Sequence, residues 1–150
     1  MNEEIIRTLI DAIDSYMTSS LPDTFYELVF RRLETFGYEV KMADAFGIAF
    51  SVQKSELNIK NDCNIADIPA ELYPTLCDRA CADFLAVKYQ TGKLALADID
   101  LNGAITSISE GDTSITFDKS ASDAEKFHAL LVTLSASGRG NLECYRQIKW

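Results

Sequence analysis

Ile105-Thr106-Ser107-Ile108-Ser109-Glu110-Gly111-Asp112-Thr113-Ser114-Ile115-Thr116-Phe117 is the stretch that decides the architecture of this 150-residue chain. The other periodic stretches read as helices, so this one separates a plain helical bundle from a bundle with a β excursion. Apolar and polar residues alternate through it, with Ile105, Ile108, Ile115 and Phe117 as the apolar members. Gly111, inside Glu110-Gly111-Asp112, supplies a turn. The pattern predicts a hairpin-like projection over 104–117. A two-stranded hairpin alone is marginal in water, so a neighbour is expected to cover it.

Upstream, four helices are expected. The first runs from Glu3 to Met17, capped by Asn2, with Glu3 and Glu4 at the positive end of its dipole. Ile5, Leu9, Ile13 and Tyr16 form its stripe, with Ile6, Ile10 and Met17 beside it. The second begins near Thr24, where Thr24 and Glu27 fit a capping box, and stops at Gly37. Its apolar face is Phe25, Leu28, Val29, Leu33 and Phe36. The third spans about Asp44 to Asp62, with Ala45, Ile48, Ala49, Val52 and Ile59 inward and Phe46 and Phe50 widening that face. Gly47 weakens it by roughly 1 kcal/mol relative to Ala. The fourth starts at Pro69 and runs to about Tyr89, with Leu72, Leu76, Ala80, Phe84 and Val87 inward. Residues 93–104 show no clear period and read as a connection.

Downstream, Ser122 and Glu125 form a second capping box that opens a fifth helix with Phe127, Leu130, Leu131 and Leu134 on its face. Gly138 and Gly140 then release the chain into a short aromatic and basic ending, Tyr145-Arg146-Gln147-Ile148-Lys149-Trp150. Trp, Tyr and Arg are the residue types enriched at binding hot spots. The ending either grips a partner or folds back onto its own bundle. The expected class is mainly α. It is a small bundle of about five helices, with a helical body over 1–92 and 122–138, the projecting hairpin over 104–117, and an extended C-terminal arm over 139–150.

The totals exclude several functions. A single histidine removes His-based metal or catalytic centres. No apolar run approaches the roughly 18 residues a membrane span needs, so no membrane partner is expected. The acidic start, Met1-Asn2-Glu3-Glu4, does not read as a secretion signal, and an intracellular origin is the default. Cys63, Cys77, Cys81 and Cys144 then read as buried thiols rather than a disulfide framework. Asp98-Ile99-Asp100 lacks the Gly and Glu that a calcium loop requires. The Arg31-Arg32 pair reads as a solvated face bound to Glu27 or Glu34, and His128 as a surface residue. No cofactor and no catalytic residue is indicated, so an enzyme is not expected. Net charge is −9 and is concentrated early: residues 1–100 hold 9 bases and 17 acids. Such a body gains little from the nucleic-acid backbone.

Several segments carry a resemblance when taken in order. They are Gly37-Tyr38-Glu39-Val40, Ile59-Lys60-Asn61-Asp62-Cys63-Asn64-Ile65, Ile68-Pro69, and Asp78-Arg79-Ala80-Cys81-Ala82-Asp83-Phe84-Leu85. Thr91-Gly92-Lys93-Leu94, Ser107-Ile108-Ser109-Glu110-Gly111-Asp112-Thr113-Ser114 and the closing Tyr145 to Trp150 complete the set. With these the chain resembles the head–tail connector (adaptor) proteins of long-tailed bacteriophages and prophages. The resemblance implies a structural virion protein, made in the host bacterial cytoplasm, that completes the DNA-filled head. It implies a ring of the chain's own copies, typically twelve, beneath the portal protein and joined to a stopper or tail-completion protein. DNA would pass through the channel without specific binding. The C-terminal segment would reach the portal, through Tyr145, Arg146, Ile148, Lys149 and Trp150. Ile105, Ile108, Ile115 and Phe117 would meet a neighbouring subunit. The competing class is a small helical DNA-binding regulator, which needs a basic recognition helix.

Overall fold

Asn2 opens helix α1, Glu3–Tyr16, its Oδ1 accepting a 2.9 Å bond from the Glu4 amide. The computed structural model describes residues 1–109, 121–138 and 142–148. On α1 the buried stripe is Ile6, Leu9, Ile10 and Ile13, so Ile5 and Tyr16 stand exposed rather than inward. Helix α2, Asp23–Thr35, starts directly after Pro22, one residue before the expected Thr24 cap, and Pro22 supplies no side-chain bond. Gly37 stops it at φ 84°, with the Tyr38 amide reaching back to the Leu33 carbonyl at 3.0 Å. That is a Schellman-type end, which needs the left-handed backbone glycine adopts without cost. Leu28 faces solvent, while Tyr26 and Phe30 join Phe25, Val29 and Leu33 inside.

A 3-10 turn at Met42–Asp44 leads into α3, Ala45–Cys63, which ends on a left-handed Asn64. A second such turn, Ala70–Leu72, leads into α4, Tyr73–Gln90, with Pro74 tolerated in its first turn. Helix α4 is the hub of the body. It packs on α2, on α3 and on α6, Asp123–Ser135, while α1 lies on α2 and α3. The core gathers Phe25, Phe30, Ile48, Val52, Leu76, Phe84, Phe127 and Leu130 among others. Each such side chain contributes about 1.5–3 kcal/mol by leaving water. Val87, expected inward on α4, is exposed.

Polar ties fix how the helices meet. On α4, Asp78 accepts from Arg32 Nε of α2 at 2.8 Å and from the Ser137 hydroxyl, just past α6, at 3.1 Å. Arg79 donates to the Ser137 carbonyl at 3.3 Å. One carboxylate thus joins three helices. Arg32 pairs with Asp78, not with Glu27 or Glu34; Arg31 takes Glu27. Gly138 turns the chain after α6 at φ 67°, close against Thr75, where any Cβ would collide.

The hairpin reading of 104–117 is corrected over its first part. Residues Leu101–Ser109 form helix α5, and the described residues contain no strand. Asp100 caps it, with Oδ1 accepting from the Gly103 amide at 3.1 Å. A side chain on Gly103 would run into that same carboxylate, so the glycine permits the cap. Leu101, Ala104 and Ile105 are buried at i, i+3, i+4 spacing, and α5 leans on α6. Ile105 and Ile108 are three apart, which is helical spacing; a strand face needs even spacing. The connection expected over 93–104 therefore holds a 3-10 turn, Leu96–Asp98, and the start of α5. Residues 110–117 lie outside the described part of the chain. Helix α6 opens as expected, with Ser122 Oγ accepting from the Glu125 amide at 3.2 Å and Phe127, Leu130 and Leu134 buried.

Candidate protein-interaction site

The C-terminal segment does not project over its described part. Leu142 is buried, Glu143–Tyr145 make a 3-10 turn, Arg146 takes up extended backbone, and Gln147 lies against the end of α3. The Gln147 amide donates to the Cys63 carbonyl at 2.7 Å, and Asn64 Nδ2 donates to the Gln147 carbonyl at 3.0 Å. The Cys63 thiol donates to the Leu142 carbonyl at 3.5 Å. The physical reason is the helix end: the carbonyls of a last turn lack intrahelical partners and take an outside donor. Arg146 and Asp62 stand 3.6 Å apart with both side chains about half exposed, a pair worth little in water.

The residues expected at the portal therefore separate. Tyr145 packs partly buried against the core, and Arg146 is exposed. Ile148 is 77% exposed. Tyr145, Arg146 and Gln147 border a hollow of about 470 Å³ whose other wall is Ile65, Ala66, Asp67 and Pro69. Lys149 and Trp150 lie outside the described residues. Of the residues expected at a subunit interface, Ile105 is buried within the body. Ile108 lies on α5, its side chain outside the description, and Ile115 and Phe117 lie in the part not described.

A different surface emerges on α3. Phe46 and Phe50, expected to widen the inner face, are 58% and 56% exposed. Tyr16 of α1 meets Phe46 edge-on at 5.3 Å, and Phe46 stacks over Phe50 at 6.3 Å. Beside them a groove of about 290 Å³ runs between α3 and α4, bordered by Gly47, Phe84, Val87 and Lys88 among others. Gly47 has a reason here: a Cβ would sit 3.1 Å from the Phe84 ring. Beneath the groove, buried Asp44 accepts from the Tyr38 hydroxyl at 2.8 Å, the Lys41 amide at 2.9 Å and Lys88 Nζ at 2.9 Å. Every demand of that carboxylate is met, so it is a structural clamp. Burial, then the Asp44 bond and charge, push the Tyr38 phenol well above its ordinary range.

Cys63, Cys77 and Cys81 are free and buried, as expected; the side chain of Cys144 lies outside the description. Burial raises the Cys63 and Cys81 thiols above their ordinary value. Among the described residues no group of His, Cys, Asp and Glu is arranged to hold a metal, and no helix is long and apolar enough to cross a membrane. His128 is exposed. Comparison with known proteins finds no matching family model, no matching curated protein and no matching solved structure.

Proposed function

We propose that this chain is a structural head–tail connector (adaptor) subunit of a long-tailed phage or prophage. It assembles as a ring of about twelve copies under the portal, seals the DNA-filled head and receives the stopper or tail. No step of that work needs a catalytic residue or a cofactor. The observation that carries the reading is the ending Tyr145-Arg146-Gln147-Ile148-Lys149-Trp150, whose described residues present Arg146 and Ile148 outward while the backbone is held at the end of α3. The portal-facing role is assigned to Tyr145, Arg146, Ile148, Lys149 and Trp150. Ile115 and Phe117 keep the role of subunit contacts; Ile105 serves the body's own core. A net charge of −9 suits a conduit that lets DNA slide, since no counterion release rewards contact.

Native mass measurement tests the reading, on the chain alone and mixed with its cognate portal ring. A complex of portal and about twelve copies is expected, lost when Glu143–Trp150 is removed while helix content stays. Tight retention on duplex DNA at physiological salt, with no portal complex, would make the chain a DNA-binding regulator instead.

A further inference from the structure

Helix α3 is apolar on two sides. Its inner side, with Ile48, Val52 and Ile59, fills the core. Its outer side carries Phe46, Phe50, Gln53 and Leu57, spaced four, three and four residues apart, and all four are exposed. That spacing keeps them within one narrow stripe of a helix. Tyr16 and Val87, also exposed, flank the stripe from α1 and α4. A helix apolar on opposite sides belongs to the interior of something larger. Contiguous exposed aromatics of this kind mark an interaction surface.

The charges indicate what covers it. Lys54, Lys88 and Lys93 border the stripe, and beyond Lys88 and Lys93 the exposed Glu39 and Asp98 line a neighbouring hollow. The acids opposite the first two are withdrawn: Asp83 is largely buried under Lys54, and Asp44 is 3% exposed under Lys88. Lys93 has no ion pair among the described residues. The stripe is thus an apolar surface with a cationic rim on a chain of charge −9. The fitting partner is acidic with some apolar surface, and the chain itself displays one. Residues 1–35 hold seven acids and three bases. Of these acids Glu3, Glu4, Asp11, Asp14 and Asp23 are exposed, with Ile5 and Leu28 exposed on the same two helices.

We infer that the outer face of α3 docks a second copy of this chain, which presents its acidic α1–α2 side. Two different patches meet, so the contact is head-to-tail and each copy keeps one patch free for the next. The inference rests on the ring proposed above and names the surface by which the ring forms.

Sedimentation velocity of the chain, alone and with the cognate portal ring, tests it on wild type and on Phe50→Glu, Leu57→Glu and Lys93→Glu. Phe50→Glu is expected to weaken association at least about tenfold with an unchanged melting temperature. Lys93→Glu is expected to weaken it by a smaller factor that shrinks as salt is added. Hydroxyl-radical footprinting of the wild type guards against a variant that misfolds: oxidation of Tyr16, Phe46 and Phe50 should slow several-fold when copies associate. Association unchanged by Phe50→Glu, or rings that stay equally reactive on assembly, overturns the inference and leaves the connector reading standing. Protection supplied by the portal alone, with no contact between copies, also overturns it. A chain that never self-associates, with or without portal, removes both.

Discussion

Helices α3 and α4 are neighbours of nearly equal length, 19 and 18 residues, yet they meet their surroundings differently. Helix α4 is enclosed by α2, α3 and α6, and its apolar residues are mostly spent inside. Helix α3 has α1 and α4 against its inner side and leaves Phe46, Phe50 and Leu57 in water. The difference shows that the exposure of apolar residues on a helix reports how many neighbours that helix has within its own chain.

The largest expected effect lies on the enclosed helix. Leu76→Ala, at a fully buried position, should cost about 2–5 kcal/mol in urea unfolding. A loss near zero would mean that α4 is not the hub. Next comes Asp78→Ala, which strands Arg32 and the Ser137 hydroxyl and should cost about 1–3 kcal/mol. If Arg32→Ala were fully additive with it, the two would not share one tie.

Tyr38 gives a pH-dependent intermediate case. Its folded phenol holds its proton more tightly than the unfolded one, whose ordinary value is 10.0. The stability this supplies is complete below pH 10.0 and falls as pH climbs toward the raised folded value. Alkaline urea titrations should show that decline, and Tyr38→Phe should flatten it while costing about 0.5–1.5 kcal/mol at neutral pH. An unchanged alkaline slope would remove Tyr38 from the clamp. The smallest effect is expected on the outer side of α3: Phe50→Ala should move monomer stability by no more than about 0.5 kcal/mol. A cost comparable to Leu76→Ala would erase the contrast between the two helices.

Five helices could be read from spacing and end signals. Asn2 and Ser122 cap as their chemistry suggests, and Gly37 ends α2. Helix α5 escaped because Gly103 reads as a breaker and Asp100 as part of a loop. Only together do they make a cap, the glycine leaving room for the carboxylate. Phe46 and Phe50 were legible as apolar, and their direction was legible too: each stands two positions from Ile48, about 200° round a helix, which sets them on the opposite side rather than widening the inner face. The resting place of the C-terminal segment had no side-chain signature: it depends mainly on the bonds of Gln147 backbone atoms at Cys63 and Asn64. Tyr145 and Arg146 were visible as interaction-prone types, but their different burial followed from that docking.

The placement of the buried thiols makes the molecule its own clock. An alkylating reagent attacks thiolate, and it can reach Cys63, Cys77 and Cys81 only after something opens. Cys63 lies under the C-terminal segment and needs only that segment to lift. Cys77 and Cys81 sit on α4 and wait for the body itself to come apart. At these three thiols modification should therefore run in two phases, a fast one at Cys63 and a slow one at the α4 pair. The interval between them times local opening against global unfolding.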